Sequence, residues 1–281
     1  MLLVVGMLAS PSFQWERIMP AYIHIAVERS YQDRVATITM RRAEARNAFN
    51  TQLVQDLQTA FSELREETGL HTVILTGDGP TFSAGADLNM MKASATLTEE
   101  QNVSDALSMA GLFDAINTFP CPVIGRINGT AMGGGLGLVA ACDIVIAVES
   151  AQFAFSEVRL GIAPAVISPY VLRKIGESQA RLLFVTGESF SAAYARQIGL
   201  VHLVVAPEEL DAAVEKKVGE LLRGGPQAIR ACKSLALNVG GMDGDTASSY
   251  TAETIARLRT SAEGQEGLSA FLEKRRPNWI R

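Results

Sequence analysis

Residues 122–148 read PVIGRINGTAMGGGLGLVAACDIVIAV, and their pattern decides the fold class. Residues 122–127 form a short apolar run of the kind that is buried in a parallel sheet. Asn128-Gly129 interrupts it, and the glycines of 133–137 open a second apolar run ending near Cys142. Ile144–Val148 is β-branched again. Strand, helix, strand over 27 residues demands a parallel crossover and therefore an α/β core.

The flanking sequence extends this pattern. Residues 22–28 and 34–40 alternate around a turn at 30–33, the mark of a hairpin. Asn50 caps a helix that places Leu53, Leu57, Phe61 and Leu64 at helical spacing and ends near Gly69. Residues 72–76 read as a buried strand, and Thr98 with Gln101 forms a capping box for a helix running toward Thr118. Beyond Ser178 the chain turns almost wholly helical, with amphipathic runs at 207–222, 226–239, 246–262 and 266–275. The organisation expected is a disordered extension at 1–18, an α/β core over 19–205 and a helical region over 206–281. No repeat of 20–50 residues is visible.

Composition narrows the chemistry. Of 281 residues 48% are hydrophobic and 20% charged, enough apolar matter for a core without staples. Thirty acids against 25 Lys and Arg give a net charge of −5, which removes the basic stripe that nucleic-acid binding needs. Cys121, Cys142 and Cys232 make an odd count with no close pair, and His24, His71 and His202 have no metal-ligand spacing, so no metal site is expected. The apolar start at 1–8 is too short for a membrane span and lacks a preceding positive charge. A soluble protein of a reducing, cytoplasmic compartment is the expectation, with no membrane partner.

Three motifs bear chemistry. Thr81-Phe82-Ser83-Ala84-Gly85-Ala86-Asp87-Leu88 is a loop of small residues whose backbone N–H groups can face a ligand, or simply a tight turn. Consecutive glycines at 133–135 leave unpaired N–H donors at the positive end of a helix, suited to a phosphate or a developing oxyanion. Gly135-Leu136-Gly137-Leu138-Val139-Ala140 also matches the G-x-G-x-x-A dinucleotide fingerprint. That match lies eight residues beyond the strand end at Ile127, whereas the nucleotide fold turns directly from strand into its first glycine. In Phe155-Ser156-Glu157-Val158-Arg159-Leu160-Gly161, Glu157 follows an apolar strand and is either an acid/base of raised pKa or a surface carboxylate paired with Arg159.

Taken together, in this order, these motifs resemble the crotonase (enoyl-CoA hydratase/isomerase) superfamily. Arg46-Asn47-Ala48, Cys142-Asp143-Ile144 and residues 271–275 extend the resemblance over almost the whole chain. It implies an α/β fold, a spiral of ββα units with a helical C-terminal region that mediates trimers, often paired into hexamers. It implies an acyl-CoA substrate with the thioester oxygen between the N–H groups of Ala86 and Gly134. Such a donor contributes roughly 3–4 kcal/mol to the transition state. The same resemblance places CoA along Ala84, Asp87 and Leu88 with Arg46 near its phosphates, and adds Ala48, Gly133 and Gly137 to the binding set. Phe271 and Lys274 match positions that reach the nucleotide end across a subunit boundary. No metal or redox cofactor is implied, since coenzyme A belongs to the substrate.

One departure stands out. Two-carboxylate hydratases have Glu at the position of Gly137, while their second glutamate is matched by Glu157. The run 156–161 followed by Ala163-Pro164-Ala165-Val166-Ile167-Ser168-Pro169 is similar to the branch that hydrates methylglutaconyl-CoA and related branched, carboxylated enoyl-CoAs. The expected activity is therefore a 2-enoyl-CoA hydratase with Glu157 as acid/base. A Δ3-Δ2 enoyl-CoA isomerase using Glu157 alone and a non-catalytic acyl-CoA-binding protein are the alternatives.

Overall fold

The computed structural model describes residues 22–280, so the expectation for residues 1–18 lies outside the described residues. Strands β1 (Ile25–Ser30) and β2 (Val35–Met40) form the antiparallel hairpin read from the alternation. Helix α1 (Thr51–Arg65) starts where the Asn50 side chain accepts the Leu53 N–H, and it buries Leu53, Leu57, Phe61 and Leu64. Next come β3 (Thr72–Gly77), β4 (Thr81–Ser83), α2 (Leu88–Ser94) and α3 (Glu99–Asn117), the last opened by the Thr98–Gln101 capping box. The deciding stretch folds as β5 (Val123–Ile127), β6 (Thr130–Met132), α4 (Gly134–Ala141) and β7 (Ile144–Val148).

The chain continues through β8 (Gln152–Ala154), a 3₁₀ turn at Ser156–Leu160, α5 (Ser168–Thr186), β9 (Ser189–Ser191), α6 (Ala192–Gln197) and β10 (Leu203–Val205). Four helices close it: α7 (Leu210–Leu221), α8 (Pro226–Asn238), α9 (Gly244–Thr260) and α10 (Ala262–Leu272).

Two sheets organise these elements. The larger has the order β1-β2-β3-β5-β7-β10 and is parallel from β2 onward. The smaller has the order β4-β6-β8-β9, with only β9 antiparallel. After the first hairpin, whose two strands both lie in the large sheet, the chain lays one strand in the large sheet, one in the small sheet and then a helix, as in β5–β6–α4 and β7–β8–α5. This repeat is the ββα spiral of the crotonase fold. Val123, Ile124, Val145, Ile146 and Ala147 are fully buried, as strands covered on both faces require.

The C-terminal helices dock at the end of the large sheet where β3, β5 and β7 begin. Arg230 of α8 donates to the carbonyls of Thr68 (3.0 Å) and Leu70 (2.9 Å) just before β3. Lys233 of α8 pairs with Asp143 (2.6 Å), which precedes β7 and also accepts the Val123 N–H of β5. That end is anchored, and the loops leaving the small sheet are free to build a site. Among the described residues no helix is long and apolar enough to cross a membrane.

Candidate active site

The first donor loop is shaped by the segment before α1. Phe49 donates its N–H to the carbonyl of Gly85 (2.6 Å) and accepts the N–H of Asp87 (2.9 Å). Phe49 thus bonds to the two residues flanking Ala86, as in a parallel bridge, so the Ala86 N–H points to the opposite side. It has no acceptor among the described residues. Asn47, fully buried, fixes the same segment by donating to the carbonyls of Asp78 and Thr81 (both 2.8 Å), and its own carbonyl accepts the Ser83 hydroxyl (2.9 Å).

The second loop leaves β6. Gly133 has φ +48° and ψ −123°, a conformation open to glycine, and its N–H is bound by the Ala154 carbonyl (3.0 Å). Gly134 is the first residue of α4, so its N–H has no intrahelical partner, and none elsewhere among the described residues. The helix dipole makes that N–H a better donor to a developing negative charge. The two loops touch: a Cβ on Gly85, which sits at φ +84°, would lie 3.3 Å from the Gly134 nitrogen.

Glu157 stands on the 3₁₀ turn closed by Gly161 at φ +74°. Its carboxylate lies over Gly133, where a Cβ would come within 3.2 Å of Oε1. Oε2 is buried without a hydrogen-bond partner among the described residues, and burial lifts the carboxyl above the ordinary carboxylate range. Arg159 is exposed and makes no ion pair with it, which removes the surface-ion-pair reading. A cleft of about 270 Å³ joins Ala84, Ala86, Gly133, Gly134 and Glu157 to an apolar wall that includes Met90, Met109, Leu160 and Ile162. Asp105 of α3 stands exposed at its rim, and no Lys or Arg is among the described lining residues.

Other expected residues fall elsewhere. Arg46 is exposed, its carbonyl holds the Ala84 N–H (3.0 Å), and its guanidinium has no partner among the described residues. Ala48 is buried, with its carbonyl taken by the Arg42 guanidinium. Asp87 spends its carboxylate on Arg42 (3.1 Å) and on capping α2 through the Met90 N–H (2.8 Å). Burial pushes that carboxyl upward, but those hydrogen bonds outweigh it and hold it below the ordinary range. Leu88 is exposed in the first turn of α2. Within one chain neither Phe271, 81% exposed at the end of α10, nor Lys274 lines the cleft.

Gly137 requires a correction. It is buried in α4 and does not line the cleft; a Cβ there would sit 2.4 Å from Ile167 Cγ2 and 2.7 Å from the Phe113 ring. It is a packing glycine, and the place of the missing carboxylate is filled by apolar side chains. The methionines and Phe49 escaped sequence reading. Helix α2 carries no apolar periodicity to reveal Met90, and Phe49 reads only as one more apolar residue before a cap.

A sequence-family profile for Enoyl-CoA hydratase/isomerase matches residues 30–281. The chain belongs to the enoyl-CoA hydratase/isomerase family. Within it, a crotonyl-CoA hydratase of Syntrophomonas wolfei is 34% identical over 92% of this chain and 99% of its own. A 2,3-dehydroadipyl-CoA hydratase of Escherichia coli is 31% identical over 89% of this chain and 96% of its own. The crystal structure of an enoyl-CoA hydratase from Shewanella pealeana superimposes with a TM-score of 0.88 at 37% identity, covering 92% and 97% of the two chains. As a member of the enoyl-CoA hydratase/isomerase family the chain is an enzyme, and its crotonase fold places the paired N–H donors and the Glu157 carboxylate in a single cleft.

Proposed function

We propose that this chain adds water across the double bond of a 2-enoyl-CoA. The observation that carries the reading is the pair of unpartnered N–H groups, Ala86 and Gly134, facing one cleft with a buried carboxylate oxygen. A thioester oxygen between those donors is polarised, so C3 becomes electrophilic and the enolate formed on attack is stabilised. Glu157 takes a proton from water as the oxygen–C3 bond forms, and it then gives that proton to C2 of the enolate, ending ionised as it began. Water is consumed whole, and no metal or redox group takes part in this scheme. The resemblance assigns the exposed Arg46 guanidinium, which lies outside the cleft lining, to phosphate oxygens of CoA.

The filled position at Gly137 favours a second reading. With Phe113 and Ile167 where a second glutamate would stand, Glu157 is the one carboxylate among the described lining residues besides Asp105 at the rim, and it can equally shuttle a proton from C2 to C4 of a 3-enoyl-CoA. Product analysis in ¹⁸O-labelled water separates the two. Label at C3 of the product supports hydration; double-bond migration without label promotes the isomerase. No turnover of any enoyl-CoA would overturn both readings.

For the acyl group, the similarity of residues 156–169 to the methylglutaconyl-CoA branch supports a branched, carboxylated chain. The wall of Met90, Met109, Leu160 and Ile162 suits an irregular branch, while Asp105 at the rim and the lack of Lys or Arg among the described lining residues offer no counter-charge to a distal carboxylate. The names of the relatives span both a linear and a carboxylated substrate. Rates across linear, branched and carboxylated enoyl-CoAs decide; a specificity constant highest for crotonyl-CoA would set the carboxylated reading aside.

A further inference from the structure

Phe49 meets both oxyanion donors by different parts of itself. Its backbone brackets Ala86 through the bonds to Gly85 and Asp87. Its ring, in a side chain 1% exposed, occupies the space beside Gly134: a Cβ there would lie 2.9 Å from Cε2 and 3.3 Å from Cδ2. The ring also stands edge-on to Phe113, with centroids 6.5 Å apart, and the Phe113 ring fills the place of a Gly137 side chain. Gly134 and Gly137 are three apart on α4 and so share a face. The first turn of that helix rests on two aromatic rings, with glycine at each contact letting it approach.

We propose that Phe49 is a positioning residue that sets the separation between the Ala86 and Gly134 N–H groups. The inference rests on the reading of those groups as an oxyanion hole. One residue ties the two loops because its main chain is fixed to one and its ring limits how closely the other approaches. Stabilisation of an oxyanion falls off steeply when a donor moves by a fraction of an ångström. The thickness of this ring therefore matters to the rate, beyond its share in the core.

A double-mutant cycle tests the assignment. Gly134→Ala alone drives a methyl into the Phe49 ring and lowers kcat about tenfold or more. Phe49→Ala alone releases the helix turn and lowers kcat to a similar degree, with KM changed less than threefold. Together the two are no worse than the more damaging single change, because the methyl then occupies the vacated space. Multiplicative losses in the double variant would overturn the proposal.

The thioester carbonyl stretch of a bound, unreactive saturated acyl-CoA, read by ¹³C-edited infrared difference spectroscopy, gives the second measurement. Wild type should show a shift to lower frequency, largely lost in Phe49→Leu, the milder variant if Phe49→Ala does not fold. Phe61→Leu, a core change against Phe119 at residues outside the cleft lining, should lower Tm while leaving the shift intact. An unshifted carbonyl in wild type would remove the oxyanion hole itself. A wild-type shift that survives Phe49→Leu would remove only the role given to Phe49.

Discussion

The carboxylate of Glu157 lies over Gly133 with one oxygen buried and unpaired, an arrangement that costs the folded chain free energy whenever the group ionises. Its folded-state pKa is raised, so the native state holds this proton more tightly than the unfolded chain does. Stability from this group is therefore complete below the ordinary glutamate value and is lost as pH rises through the raised one. Glu157→Gln removes that loss, so it should raise Tm at pH 7 while reducing kcat more than tenfold and changing acyl-CoA affinity less than tenfold. Calorimetry beside kinetics checks both halves, and a variant keeping over a tenth of wild-type kcat would remove Glu157 as the base. Because the ionised form takes the proton, the acid limb of the kcat profile should lie above the ordinary carboxylate range. Gly137 is the opposite case. A glutamate there reads from sequence as a way to restore the missing carboxylate, yet its Cβ meets Ile167 and Phe113 at 2.4–2.7 Å. Gly137→Glu should lower Tm by several degrees and cost activity on every substrate, since overpacking alone costs about 1–3 kcal/mol before a charge is buried. Improved hydration of crotonyl-CoA in a folded Gly137→Glu variant would contradict this packing.

At the scale of elements, the two donor loops differ in how they tolerate the loss of an N–H. Ala86 points its N–H away from the bridge to Phe49, so Ala86→Pro deletes the donor and leaves both flanking bonds in place. It follows Gly85, which accepts the restriction that proline imposes on its predecessor. Gly134→Pro is less clean, because its ring would enter the space of the Phe49 side chain. The expected result for Ala86→Pro is a kcat reduced at least about a hundredfold with unchanged circular dichroism. A near-normal rate in the folded variant would refute the donor assignment. Elements long enough to show a period were legible before the structure: the hairpin, α1 with its Asn50 cap, α3 with its capping box, and the alternation of β5, α4 and β7. The small sheet was not, because β4, β6, β8 and β9 have three residues each and show no alternation. Helix α5 was hidden by Pro169 in its first turn and by Gly176, which breaks it with φ +73°. Ala86, Gly134 and Glu157, which the structure brings to one cleft, were named through resemblance plus motif chemistry, whereas Phe49 and the packing of Gly137 depend on contacts between distant segments that no local pattern encodes.

At the scale of the molecule, the cleft and the C-terminal helices sit at different places on the sheets. The cleft is built from loops around the small sheet, while α8 is fastened where β3, β5 and β7 begin by Arg230 and Lys233. Helix α10 ends with Phe271 and Leu272, 81% and 78% exposed, followed by Lys274 in a left-handed conformation at φ +53°. Two large apolar side chains left this bare at a helix end are unfavourable for a lone chain. The resemblance matches Phe271 and Lys274 to positions that reach the nucleotide end of a neighbour's substrate across a subunit boundary. On that reading, assembly and CoA affinity are coupled. Phe271→Asp should elute as a smaller species than wild type and raise KM for acyl-CoA several-fold, with Glu157 chemistry intact in kcat. Lys274→Ala should leave the assembly unchanged and raise KM alone, the pattern of lost uniform binding. Light scattering on each variant beside its KM measured at low salt separates the contributions. Wild type that is monomeric and fully active, or Lys274→Ala with an unchanged KM, would show that each cleft binds its substrate without help from a second chain.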